Sequence, residues 1–262
     1  MSHFCDRLRA NEPQYRLGIR SARTTEIVRI AKAAGYHSIM VDLEHCAMSI
    51  DTATEICAAA GDAGLMPSVR LPERDFGSIG RLLDGGADGM LMPGLETVEQ
   101  AKEFADFCRF APNGKRSQLS MVPQLGMKPT PATELNPALD NRVVVQILLE
   151  SKAGIGNAEA IAALPGVDMV TIGANDLSAE LGIPGKFADP LFVDAVKTVI
   201  AACKTHNKIP TLGGIGDPAL VRKFTEMGMA PFYLVGFDTE MMYSMAVQRK
   251  QRLADALTAA AE

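Results

Sequence analysis

Eight short apolar runs recur along the chain, and stretches of helical periodicity separate them. The runs are YRLGIR (15–20), SIMVDL (38–43), MPSVRL (66–71), GMLMPG (89–94), VVVQILLE (143–150), VDMVTIG (167–173), IPTLGG (209–214) and FYLVGF (232–237). Apolar runs of this length, bounded by turn signals, read as buried parallel strands. Between them TEIVRIAKAAG, SIDTATEICAAAGDAG, DFGSIGRLLDGG, TVEQAKEFADFCRF and DPALVRKFTEMG carry helical spacing, the first closing on a capping glycine, Gly35. Eight such units without a break in composition predict an α/β fold, a single (β/α)8 TIM barrel over residues 1–262. A doubly wound sheet would bring about five to seven strands and a glycine-rich first turn. No GxGxxG follows a strand here.

Two segments depart from the alternation. Residues 110–142, rich in proline and asparagine, predict a long loop before the fifth strand with a short helix near 132–139. Such a length inside a compact domain points to a lid, an interface arm or a mobile segment. Residues 240–262 predict a long C-terminal helix with Met242, Met245, Ala246, Leu253 and Leu257 on one stripe, packed on its own barrel or on a neighbouring subunit.

A net charge of −5 gives no general attraction for nucleic acid or anionic lipid. The polar start MSHFCDRLRANEPQ lacks the apolar core of a signal peptide, and no run approaches a membrane span, so a cytoplasmic protein is expected. Five scattered cysteines without CxxC spacing argue against disulfides and zinc. Cys46 follows His45, but no activating base is evident, so it reads as a small packing residue.

Residues just past the strands of such a barrel point into the active-site mouth. Glu150 and Asp176 both stand at strand ends, and two anions aimed at one cavity repel unless a cation or a shared proton intervenes. A hard divalent metal with two oxygen ligands fits; helix capping is the plainer reading for either residue alone. The second run ends in Asp42-Leu43-Glu44-His45, with two acids beside a histidine suited to acid/base work. Arg70, inside an apolar run, calls for an anionic partner, either a substrate carboxylate or enolate oxygen or a structural acid. Gly173, Ala174 and Asn175 would offer backbone N–H groups to a carboxylate, and GGIGD (213–217) reads as a turn or a comparable nest.

Asp-Leu-Glu-His (42–45), Val-Arg-Leu-Pro (69–72), Leu-Leu-Asp-Gly-Gly-Ala (82–87), Glu150 and Gly-Ala-Asn-Asp-Leu-Ser (173–178) together resemble the HpcH/HpaI aldolases, over roughly residues 15–255. The resemblance implies a class II pyruvate aldolase, dependent on Mg²⁺, Mn²⁺ or Co²⁺, that cleaves a 4-hydroxy-2-oxo acid to pyruvate and an aldehyde. It implies Glu150 and Asp176 as metal ligands, Arg70 on the pyruvyl part, and His45 as the acid/base residue supported by Asp42 and Asp84. It also implies a homohexamer, a trimer of dimers, with the last helix exchanged between subunits. Leu148 stands where the family often has a substrate-touching glutamine, with Gln146 the nearest one, and Ser117 replaces the second glycine of a family motif. The rivals are a Schiff-base aldolase using Lys152, an acyl-CoA lyase of the malyl- or citryl-CoA type, and a barrel that binds an oxo acid without turning it over.

Overall fold

The computed structural model describes residues 3–259. Eight parallel strands, β1 (Gln14–Ile19), β2 (Ser38–Asp42), β3 (Met66–Arg70), β4 (Gly89–Met92), β5 (Val144–Leu149), β6 (Met169–Gly173), β7 (Ile209–Gly213) and β8 (Phe232–Phe237), fall where the apolar runs predict them. Twelve helices accompany them among the described residues: α1 (His3–Arg9), α2 (Glu26–Ala33), α3 (Ile50–Asp62), α4 (Ile79–Asp84), α5 (Val98–Cys108), α6 (Ala132–Arg142), α7 (Lys152–Gly156), α8 (Ala158–Ala162), α9 (Ala174–Glu180), α10 (Pro190–Thr205), α11 (Pro218–Met227) and α12 (Asp238–Ala259). The sheet runs β7-β6-β5-β4-β3-β2-β1-β8. This is a (β/α)8 TIM barrel, nearly closed. No ladder joins β7 to β8 among the described residues, although Ala230 N donates to Pro210 O (2.8 Å) at the base of that seam.

The two-residue period of the strands sorts their side chains into an outer and an inner set. Outward residues such as Ile39, Val41, Val69, Ile147, Val170 and Ile172 form the main core with the helices. The inner set is layered. Met66, Val144, Met169, Ile209 and Phe232 make the floor, closed from below by Phe4, Cys5 and Leu8 of α1. Met40, Leu91, Leu148 and Phe237 make an apolar collar higher up. Between floor and collar lies a buried polar layer of Arg16, Ser38, Ser68, Gln146, Thr171 and Thr211.

The 110–142 segment does not cover the mouth. It connects the end of α5 to the start of β5, and helix-to-strand connections emerge at the N-terminal face of a barrel. There Phe110, Val122, Leu135 and Leu139 form a small core of their own, and Gln124 Nε2 donates to Leu83 O (2.7 Å). The lid reading is therefore replaced by a basal brace. Its helix is α6, longer than the expected 132–139.

The C-terminal helix forms as expected and is anchored by its first turn, where Asp238 accepts from Arg20 N (2.9 Å) and Met241 packs on the main core, but the apolar side chains further along it are left bare. Met242, Tyr243, Met245, Val247, Leu253 and Leu257 are all exposed, and Val235 and Tyr15 are exposed near the seam. Residues 260–262 of the expected helix lie outside the described residues. No helix among the described residues is long and apolar enough to cross a membrane.

Candidate active site

The mouth at the C-terminal ends of the strands opens into a cavity of about 170 Å³. His45, Arg70, Leu148, Glu150, Gly173, Ala174, Asn175 and Asp176 all line it, so residues from four strand ends converge as the sequence predicts. Gln146, the glutamine nearest Leu148 in sequence, lines it as well, together with Arg16, Arg20, Thr171 and Thr211, which the sequence reading does not single out. The signal was present. Arg16 in YRLGIR is, like Arg70, a cation inside an apolar run.

Asp42 is fully buried at the end of β2 and organises the mouth. It accepts from Arg70 Nε (2.9 Å) and Nη2 (2.6 Å) and from Arg20 Nε (2.6 Å). Burial alone would push its carboxyl up, but these two guanidinium groups prevail and hold it below the usual carboxylate range. Asp42 does not reach the His45 ring; its Oδ1 instead accepts from the His45 backbone N–H (3.3 Å) and fixes the loop. Glu44 is the acid beside the ring, 3.5 Å from Nε2. The imidazole is 53% exposed, open enough to exchange protons with solvent or substrate.

Arg70 meets the structural acids that a buried charge calls for, and it also lines the cavity. Its fork is occupied by Asp42, and Nη1 also lies 3.0 Å from Glu44 Oε2, an ion pair without hydrogen-bond alignment. The same guanidinium faces the cavity and feels Glu150, so it contributes positive potential there while being held rigidly. Arg20 stacks on the Phe237 ring at 3.6 Å and is anchored through its own backbone N–H, which donates to Asp238 Oδ1 (2.9 Å).

Glu150 follows β5, and its Oε2 accepts weakly from Gly94 N (3.4 Å). Burial pushes its carboxyl up to about 7, and the negative charges of Asp176 and Glu44 push the same way. Asp176 lies exposed in the first turn of α9. Gly173 makes room for this crowding, since a Cβ there would sit 2.5 Å from Glu150 Oε1. Among the described residues no group of three or more His, Cys, Asp or Glu could enclose a metal ion. A pair of carboxylates, one of them destabilised as an anion by burial and by its like-charged neighbours, nevertheless fits a hard divalent cation whose remaining positions go to water and substrate oxygens.

Asp84 is not part of this group. It ends α4, binds Arg116 Nη2 (2.8 Å) from the basal brace, and is absent from the cavity lining. Within the chain it cannot support His45, because the end of a barrel helix lies at the face opposite the mouth. Lys152 begins α7 and is exposed; no lysine lines the cavity. Cys46 Sγ donates to Asp42 O (2.7 Å), and burial pushes its thiol up, in keeping with a packing role.

The pattern of the HpcH/HpaI aldolase/citrate lyase family matches residues 20–244. Over 202 residues the chain is 38% identical to a 4-hydroxy-4-methyl-2-oxoglutarate aldolase of Hapsidospora irregularis, covering 76% of this chain and 74% of that protein. It is 31% identical to a 2-keto-3-deoxy-L-rhamnonate aldolase of Shigella sonnei, covering 96% and 91% of the two chains. The crystal structure of an HpcH/HpaI aldolase from Desulfitobacterium hafniense superposes with a TM-score of 0.88 at 24% identity, covering 97% of each chain, a likeness of fold.

Proposed function

This chain belongs to the HpcH/HpaI aldolase/citrate lyase family, and from that premise we propose how its residues cleave a 4-hydroxy-2-oxo acid to pyruvate and an aldehyde. The observation that carries the reading is the convergence of Glu150, Asp176, Arg70 and His45 on one cavity. Glu150 and Asp176 would hold a divalent cation (Mg²⁺, Mn²⁺ or Co²⁺). When bound it supplies Lewis acidity to a chelated 2-oxo acid, worth several kcal/mol as charge develops on the C2 oxygen.

The chain's own residues do the rest. His45 takes the proton from the C4 hydroxyl, and Glu44 beside the ring stabilises the imidazolium that results. Arg70, locked by Asp42, keeps its positive charge directed at the oxygen that becomes an enolate, a fixed charge that needs no reorganisation during the reaction. The first turn of α9, at Gly173, Ala174 and Asn175, receives the substrate carboxylate. Leu148 gives the acceptor side an apolar wall. The absence of lysine from the lining argues against a Schiff base.

We also propose that the protein acts in the cytoplasm as a homo-oligomer, a trimer of dimers exchanging α12. The bare apolar side chains of α12 and the exposed Val235 and Tyr15 near the seam support that assembly.

The test is pyruvate release from 4-hydroxy-2-oxo acids after EDTA treatment and after return of each metal. Activity should vanish and recover, and Glu150→Gln should lose it with the melting temperature retained. His45→Ala should slow cleavage more than pyruvate C3 proton exchange. Full activity of the stripped protein would overturn the reading.

A further inference from the structure

The cavity extends below the carboxylates, through the collar, to Arg16. Three arginines are buried among the described residues. Arg109 meets Asp168 at 2.6 Å and Arg116 meets Asp84 at 2.8 Å, but Arg16 meets no carboxylate. Its contacts are Ser38 Oγ (3.4 Å), Met40 Sδ (3.9 Å), Gln146 Oε1 (3.3 Å) and the face of Phe232 (4.0 Å). Its Nη2 has no protein acceptor at all. A guanidinium this deep without an anion is unfavourable unless an anion arrives from outside.

Neutral donors surround the same spot. Gln146 Nε2 donates to Thr171 Oγ1 (2.5 Å) and Thr211 Oγ1 (3.3 Å), and the two hydroxyls lie 2.6 Å apart. One hydroxyl proton joins the pair, so the other remains to be donated elsewhere. Above this layer the collar of Met40, Leu91, Leu148 and Phe237 offers only apolar contact.

We propose that Arg16, with Thr171 and Thr211, forms a second anion subsite at the bottom of the cavity, which binds a carboxylate at the far end of the oxo-acid substrate and selects dianionic over monoanionic aldols. The inference rests on the aldolase reading of the mouth. The layering matches such a ligand: a chelating oxo-acid head at Glu150 and Asp176, methylenes in the collar, and a carboxylate on Arg16. Gln146 lies four residues below Glu150, about 13 Å of strand, and Arg16 shortens the gap by reaching up to the collar, where its Nη1 lies 3.9 Å from Met40 Sδ. The dicarboxylate is therefore an extended one. A cavity of about 170 Å³ accepts such a chain, given that one of about 150 Å³ takes a benzene-sized guest.

The experiment compares pyruvate release from 4-hydroxy-2-oxoheptanedioate and from 4-hydroxy-2-oxoheptanoate, alike in length but differing in the terminal carboxylate. Wild type should favour the dianion at least tenfold in kcat/KM. Arg16→Met should cut that ratio at least tenfold, mainly through KM, and Arg16→Lys should restore part of it. Should Arg16→Met fail to fold, Arg16→Lys and Thr211→Val carry the test, each lowering the ratio. A wild-type enzyme that shows pyruvate C3 exchange but no preference for the dianion would overturn the subsite and leave the aldolase reading standing. A folded Arg16→Met with an unaltered ratio would do the same and make Arg16 structural. Absence of both exchange and cleavage would instead overturn the aldolase reading, and the subsite with it.

Discussion

Gly173 has no side chain, and that absence admits the Glu150 carboxylate to the mouth. Gly173→Ala would force a methyl to within 2.5 Å of Oε1, so the carboxylate must turn away. Turnover should fall at least tenfold while the fold loses only about 1–3 kcal/mol, as overpacking usually costs; steady-state kinetics beside a melting curve would separate the two. Glu150 itself makes stability depend on pH. Its folded pKa near 7 lies above the ordinary 4.5, so its stabilising contribution is complete below about 4.5 and is lost as pH rises through 7. Metal-stripped protein should therefore melt lower at pH 8 than at pH 5, and Glu150→Gln should flatten that slope. A slope unchanged in the variant would place the titration elsewhere. Position was legible where a polar residue sits in or just past an apolar run: Arg70 lies inside one, Glu150 closes one, His45 and Asp176 follow closely after one, and all four line the cavity. Partnership was less legible. Asp42 holds the His45 loop rather than its ring, and Asp84 pairs with Arg116, because pairing depends on which loops meet in space.

At the scale of elements, strand periodicity located all eight strands to within two residues, since a strand buried on both faces reads as a plain apolar run. Helix α1 escaped notice. Only Phe4, Cys5 and Leu8 face the floor, and a helix of 7 residues, about two turns, leaves too little periodicity to detect. The 110–142 segment misled for another reason: its composition signals a loop but not the end of the barrel on which the loop lies. Helix α12 was visible in the sequence, and its partner was not. Removing residues 241–262 takes away Met242, Tyr243, Met245, Leu253 and Leu257, all exposed in the single chain. If α12 is exchanged, the truncated protein should sediment as a smaller species or aggregate, its seam-facing surface uncovered. A monodisperse, fully active truncation at unchanged mass would show the helix to be dispensable.

For the whole molecule, the feature with the widest consequence is the missing ladder between β7 and β8. The backbone groups that β8 turns toward β7 lack the partners that β1 supplies on its other side. Amide hydrogen exchange should therefore be faster in β7 and β8 than in β3 to β5, whose strands are paired on both edges. Equal protection around the ring would mean that the seam is sealed in solution. A ring of staves bonded at seven joints is a split hoop, tied among the described residues by one backbone hydrogen bond at its foot, from Ala230 to Pro210. Spreading the rim at that joint would break no ladder hydrogen bond between β7 and β8. Girth is thus least constrained at this one joint, and a guest too bulky for the ring would spread it there first.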